Sequence, residues 1–146
     1  MDAKDFLGTA RLLLNSAPDE AACRTVVGRA YYACFLPARK VAFDHCTLSA
    51  RIKASIANER KILHKSLLFY LKTSSDGSVR KLGEDLGGLC GNRNEADYNM
   101  ICTTTLSEAK EAIAHAEAFL HDLGKVAPGK IGEAMELYID QTCGRP

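Results

Sequence analysis

Residues 19–45 read DEAACRTVVGRAYYACFLPARKVAFDH, and this stretch decides the fold class. Its apolar residues include Val26, Val27, Ala30, Tyr31, Tyr32, Cys34, Phe35, Leu36 and Val41. They do not alternate as a half-buried strand would, and they do not keep to one narrow stripe. Wound as a helix they cover most of its circumference, which is the pattern of a central helix packed on several sides. Pro18 followed by Asp19 and Glu20 suits a helix's first turn, where the missing N–H is harmless and carboxylates meet the positive end of the dipole. Pro37 lies inside the stretch and predicts a bend or a split near Leu36.

Outward from this segment, every stretch long enough to classify reads as helix. Residues 3–15 place Phe6, Ala10, Leu13 and Leu14 at helical spacing. Residues 46–57 are polar and aperiodic and read as a loop. A third helix over 58–73 carries Leu63, Leu67, Tyr70 and Leu71 on one face, with Lys61, Lys65, Lys72 and His64 away from it. Ser74-Ser75-Asp76-Gly77 is a turn. A fourth helix over 78–98 steps through Leu82, Leu86, Leu89 and Cys90 and tolerates Gly83, Gly87, Gly88 and Gly91. Each glycine costs up to about 1 kcal/mol relative to alanine, so close helix–helix approach or a distortion is expected there.

Thr105 and Glu108 form a capping box that opens a fifth helix. It turns Leu106, Ala109, Ile113, Ala116 and Leu120 inward and is expected to close at Gly124. After Pro128-Gly129, residues 131–140 have the pattern of a short sixth helix, which could dock, join an oligomer or fray. The expectation is an all-α, up-and-down bundle of five helices with this short sixth, organised as one domain over 1–124 and a tail over 125–146.

The chain has 146 residues, 47% apolar and 25% charged, enough for one core and unlike a disordered chain. Its net charge of +1 names no partner, but residues 24–65 carry nine Lys or Arg against two acids, leaving the remainder at −6. A basic middle in a neutral chain points to an anionic partner. No run approaches the roughly 18 apolar residues of a membrane span. Met1-Asp2-Ala3-Lys4-Asp5 is acidic where a signal peptide is basic, so a cytoplasmic location and no membrane partner are expected. The six cysteines, at 23, 34, 46, 90, 102 and 143, then read as reduced thiols. With no CxxC or HxxxH spacing, neither a metal site nor a cofactor is expected. P-loop, GxGxxG, GxSxG and HExxH signatures are also missing. His115 and His121 read as solvent-facing partners of Glu111 and Glu117.

Three polar groups stand out. On the fourth helix Leu86, Cys90, Arg93 and Asp97 step by four, three and four onto one face, which carries a guanidinium toward packed surface. Arg93 with Asp97 is either an internal clip or a donor fork aimed at a phosphate, with Asn94 and Tyr98 beside it. On the second helix Arg29 and Tyr32 share a face, and Arg29 again reads as a structural pair or a phosphate contact. Arg60, Lys61, His64 and Lys65 form a basic run. Such a run is commonly just solvated, yet basic groups with neighbouring tyrosines are also what an RNA groove needs.

Arg29-Ala-Tyr-Tyr-Ala33, Lys61-x-x-His64 and Arg93-x-x-Ala-Asp-Tyr98, in that order, resemble the motifs of small prokaryotic HEPN-domain proteins. The resemblance covers residues 3–124. It implies an up-and-down bundle that forms a homodimer with the two fourth-helix motifs at a composite cleft. It also implies RNA or nucleotide phosphate as ligand, and metal-independent endoribonuclease activity in toxin–antitoxin or defence systems. A nucleotidyltransferase-like protein would be the partner. In this family an Arg, followed four to six residues later by a His, assists attack of the ribose 2′-OH on the adjacent phosphate. Arg93 and Asn94 match the start of that signature, but positions 98, 99 and 100 are Tyr98, Asn99 and Met100. The resemblance thus makes Arg93, Asp97, Tyr98 and His64 the catalytic candidates. Arg29, Tyr32, Arg60, Lys61, Lys65 and Asn94 are the RNA-binding ones. The different-class alternative is a non-catalytic interaction module in which the Arg93–Asp97 pair is structural.

Overall fold

The computed structural model describes residues 2–46 and 60–143, with helical backbone alone at 60–63 and 137–143. The described residues form an all-α helical bundle without a strand. The helices are α1 (Ala3–Asn15), α2 (Glu20–Asp44), α3 (Arg60–Lys72), α4 (Gly77–Tyr98), α5 (Leu106–Lys125) and α6 (Pro128–Cys143). Most of the predicted 46–57 loop lies outside the described residues.

The chain packs as two compact units. One comprises residues 1–37 and 85–122, the other residues 38–84 and 123–146. In the first unit, α2 buries Val26, Val27, Ala30, Tyr31, Ala33, Cys34 and Phe35, the near-complete circumference its composition predicts. Against these lie Leu7 and Ala10 of α1, Leu86, Leu89 and Ala96 of α4, and Ala109, Ala112, Ala116 and Phe119 of α5. Burying side chains the size of Tyr31 and Phe35 contributes about 2 kcal/mol each. The Cys34 Sγ donates to the Ala116 carbonyl at 3.6 Å, and burial pushes its thiol up to about 12. Cys23 is buried and also shifted upward by burial.

The ends of these helices follow their capping chemistry. Asp2 and Asp5 close a capping box on α1, with Lys4 N donating to Asp2 Oδ1 at 3.1 Å and Asp2 N to Asp5 Oδ2 at 3.0 Å. Thr105 and Glu108 do the same for α5, at 3.0 and 3.1 Å. Three local expectations change. Pro37 does not split α2, which continues through it as one helix with Ala33, Cys34 and Ala38 buried on either side. Gly124 does not stop α5, which continues to Lys125. Leu106, at the first position of α5, is exposed.

The second unit is built from the end of α2, α3, the start of α4, and α6. Leu67, Tyr70, Leu71, Val79 and Leu82 are buried there, together with Ile131, Ala134 and Met135 of α6. Two glycines permit the packing. A Cβ on Gly83 would fall 2.6 Å from the Lys72 amide nitrogen, so α4 meets the end of α3 backbone to backbone. A Cβ on Gly132 would overlap the His45 carbonyl, so α6 docks on the chain leaving α2. Asp76 ties the unit together at its rim. Its Oδ1 accepts from the amides of Ser78 and Val79, and its Oδ2 pairs with Lys130 Nζ at 2.7 Å.

Candidate functional site

The last three turns of α4 carry the candidate site in the first unit. Leu86 and Leu89 anchor these turns in the core, which brings Arg93 to the edge of packed surface with its side chain only 19% exposed. Asp97, one turn on, approaches Arg93 Nε with Oδ2 at 2.9 Å. The contact is an ion pair and not an aligned hydrogen bond, and this buried Nε–H has no acceptor in line. The guanidinium's other nitrogens donate to the Tyr32 hydroxyl at 3.2 Å and to Asn94 Oδ1 at 3.4 Å.

Three tyrosine rings surround the same guanidinium, with centroids 5.4 Å (Tyr32), 5.9 Å (Tyr31) and 5.9 Å (Tyr98) from its central carbon. Cation–π contact of this kind is worth roughly 0.5–2 kcal/mol, more as water is excluded. Burial opposes the Arg93 charge, but Tyr32, Asp97, Tyr98 and Tyr31 together outweigh it and hold the group firmly protonated. Tyr31 is fully buried, and its phenol is shifted far upward by burial and the neighbouring Cys90, so it stays neutral.

Beside this cluster opens a cleft of about 540 Å³ lined by Phe6, Thr25, Gly28, Arg29, Tyr32 and Asp97. Phe6 and Tyr32 sit 6.1 Å apart with tilted rings. The Arg29 guanidinium lies 5.2 Å above the Phe6 ring, and no carboxylate comes within salt-bridge reach of it among the described residues. Gly28 leaves the approach to Asp97 open, since even a Cβ there would stop 3.9 Å from Oδ1. The formal charges of Arg29, Arg93 and Asp97 sum to +1, and Arg29 carries the uncompensated one.

No family model, curated protein or solved structure matches this chain. The site is therefore read from its own geometry.

The structure brings Arg93, Asp97, Tyr98, Asn94, Tyr32 and Arg29 together in one unit. His64, half-buried, and Lys65, exposed, belong to α3 in the other unit. The Arg60 and Lys61 side chains lie outside the described residues. His115 and His121 are exposed, as their spacing predicts, while Glu117 pairs with Arg11 at 2.6 Å.

Sequence reasoning missed Arg24. Its guanidinium donates to the carbonyls of Ala96 (2.7 Å), Asn99 (3.0 Å) and Cys102, and pairs with Glu20 Oε1 at 2.7 Å. Those carbonyls belong to the last turn of α4 and the chain just beyond it, where no further helical turn supplies donors. Arg24 thus fixes the turn that carries Asp97 and Tyr98. Only one sequence signal hinted at this, a basic residue one turn after an N-terminal glutamate, and that pattern is common to solvated helices.

Proposed function

We propose that the chain binds RNA or a nucleotide phosphate, of the kind its HEPN-like motifs imply, at the cleft beside Arg93. The observation that carries the reading is Arg29, a guanidinium without a carboxylate partner among the described residues, held over an aromatic ring in a cleft that also offers the Tyr32 hydroxyl. A planar donor fork suits a phosphate, and the Phe6 and Tyr32 rings suit a base or sugar face. In this reading Arg93 holds two residues of the cleft wall, Tyr32 and Asp97, with its charge partly committed to Asp97. If RNA is also cut, the reaction is attack of the ribose 2′-OH on the adjacent phosphate, expelling the 5′-oxygen of the next nucleotide and leaving a 2′,3′-cyclic phosphate, with Arg29 and Arg93 stabilising the pentacoordinate phosphorus and the Tyr32 or Tyr98 hydroxyl passing the proton.

A non-catalytic interaction module is favoured by a different observation, the enclosure of Arg93 by its own Asp97 and three tyrosines. One experiment separates the two. Labelled single-stranded RNA is titrated with the protein, and with Arg29→Ala, at several salt concentrations in EDTA, and the products are run for cleavage. The binding reading expects affinity to fall with salt and Arg29→Ala to reduce the logarithmic salt slope by about one. Unchanged RNA affinity in folded Arg29→Ala rejects the cleft as a phosphate site. Fragments ending in 2′,3′-cyclic phosphate that disappear with Arg93→Ala would establish the nuclease.

A further inference from the structure

The segment 99–105 between α4 and α5 is pinned along its first half. Arg24 holds the carbonyls of Ala96, Asn99 and Cys102. Asn99 Oδ1 accepts from the amides of Ile101 at 3.1 Å and Cys102 at 3.4 Å, while its Nδ2 donates to Glu95 Oε2 at 2.8 Å. On this fixed backbone the largest apolar side chains point away from the protein. Ile101 is 96% exposed and Met100 81%, with Leu106 nearby in sequence at 44%. Apolar groups held out on an ordered loop have already lost much of the backbone freedom that association removes, which is the character of interface anchors.

The same loop borders a groove of about 400 Å³. Thr103 and Thr104 line it together with Asn92, Glu95, Glu108 and Glu111. Among the described residues its lining holds three carboxylates and no Lys or Arg. The two features together make an apolar projection beside a slot of single negative sign. Nucleic acid and acidic lipid are repelled by that slot, so the charge favours a cationic occupant.

We propose that this loop and groove are a docking surface for a basic amphipathic protein segment, whose apolar residues cover Met100 and Ile101 and whose Lys or Arg side chains meet Glu95, Glu108 and Glu111. The surface shares no lining residue with the Arg29 cleft, so it stands or falls separately from the phosphate reading.

The test uses two synthetic amphipathic peptides with one leucine pattern, carrying lysine or glutamate at the polar positions, and reads binding to the full chain by fluorescence anisotropy. The lysine peptide is expected to bind at least about tenfold tighter than the glutamate peptide, a difference of about 1.4 kcal/mol. Ile101→Asp and Glu111→Lys should each weaken the lysine peptide by about tenfold without lowering the melting temperature, since both side chains are exposed. Arg29→Ala should leave it unchanged. Equal binding of the two peptides, no binding of either, or lysine-peptide binding that survives both surface substitutions overturns the proposal. Loss of peptide binding in Arg29→Ala overturns it too, because the peptide would then occupy the cleft.

Discussion

Arg93 Nε lies 2.9 Å from Asp97 Oδ2 one turn along the same helix, while its N–H points at no acceptor among the described residues. The pair is electrostatic, and hydrogen bonds to Tyr32 and Asn94 with three surrounding tyrosine rings supply the rest of the guanidinium's hold. Removing the side chain therefore strips Asp97 of its counter-charge and Tyr31 and Tyr32 of a packing partner. Arg93→Ala is expected to lower stability by about 2 kcal/mol, and Arg93→Lys by about half as much, since lysine keeps the charge but not the guanidinium's several donors. Urea denaturation of the three proteins checks this. Equal stability of Arg93→Ala and the parent would mean that the ion pair and rings contribute nothing net.

Arg24 holds three backbone carbonyls and pairs with the Glu20 carboxylate. Arg24→Ala leaves the last α4 carbonyls without their donors and is expected to cost about 2 kcal/mol or more. The more specific expectation is local. Amide hydrogen exchange should accelerate in the last turn of α4 and around residues 99–102, while α6 keeps its protection. Arg24→Lys should recover little, because one ammonium cannot span three carbonyls.

Gly132 and Gly129 are three residues apart on α6, and their surroundings differ. A Cβ at Gly132 overlaps the His45 carbonyl, whereas one at Gly129 meets nothing within 4 Å. Gly132→Ala is expected to destabilise by at least about 2 kcal/mol through displaced backbone. Gly129→Ala should be neutral or slightly stabilising, because alanine favours the helix. Thermal melts of the two variants side by side decide it.

The Asp76–Lys130 pair gives a pH signature. The Lys130 hydrogen bond is the main cause holding the Asp76 carboxyl below its usual range, and Asp76 in turn raises Lys130 above the usual lysine value. A depressed carboxyl stabilises above its unfolded pKa and loses that contribution as pH falls through the folded value, below about 4. A raised amine contributes fully below its unfolded pKa and loses that contribution as pH rises through the folded value, above about 10.5. Asp76→Asn should therefore flatten part of the acid limb of the stability profile and Lys130→Met part of the alkaline limb. Lys130 is exposed and Asp76 partly so, and the pair's effect should shrink with added salt.

Most of the architecture was legible because helical periodicity is local. Val26, Ala30 and Tyr31 read as core from spacing alone, and Thr105 with Glu108 read as a cap from four residues. Arg93 and Asp97 were legible as a pair because i, i+4 neighbours must meet on a helix. What stayed hidden depends on tertiary placement. Arg24 finds carbonyls more than seventy residues away in sequence, and a carbonyl leaves no side-chain signature. Phe6 read only as an apolar position at helical spacing, and its half-buried place under Arg29 is set by packing between helices. The glycines of α4 read alike, but only Gly83 among those with a resolved neighbourhood meets a backbone; Gly88 and Gly91 face open space. The division into two units follows from contacts between distant segments, which no local pattern encodes.

The unequal burial of the thiols has a practical consequence for chemical labelling. Cys23, Cys34 and Cys46 are enclosed, Cys90 is half-covered, and Cys102 is exposed on the loop held by Arg24. Thiolate is the reactive form, and burial keeps Cys23 and Cys34 protonated at neutral pH. A maleimide dye should thus mark Cys102 first among the described cysteines. Its fluorescence would report on whatever approaches the acidic groove, with no substitution needed to install it.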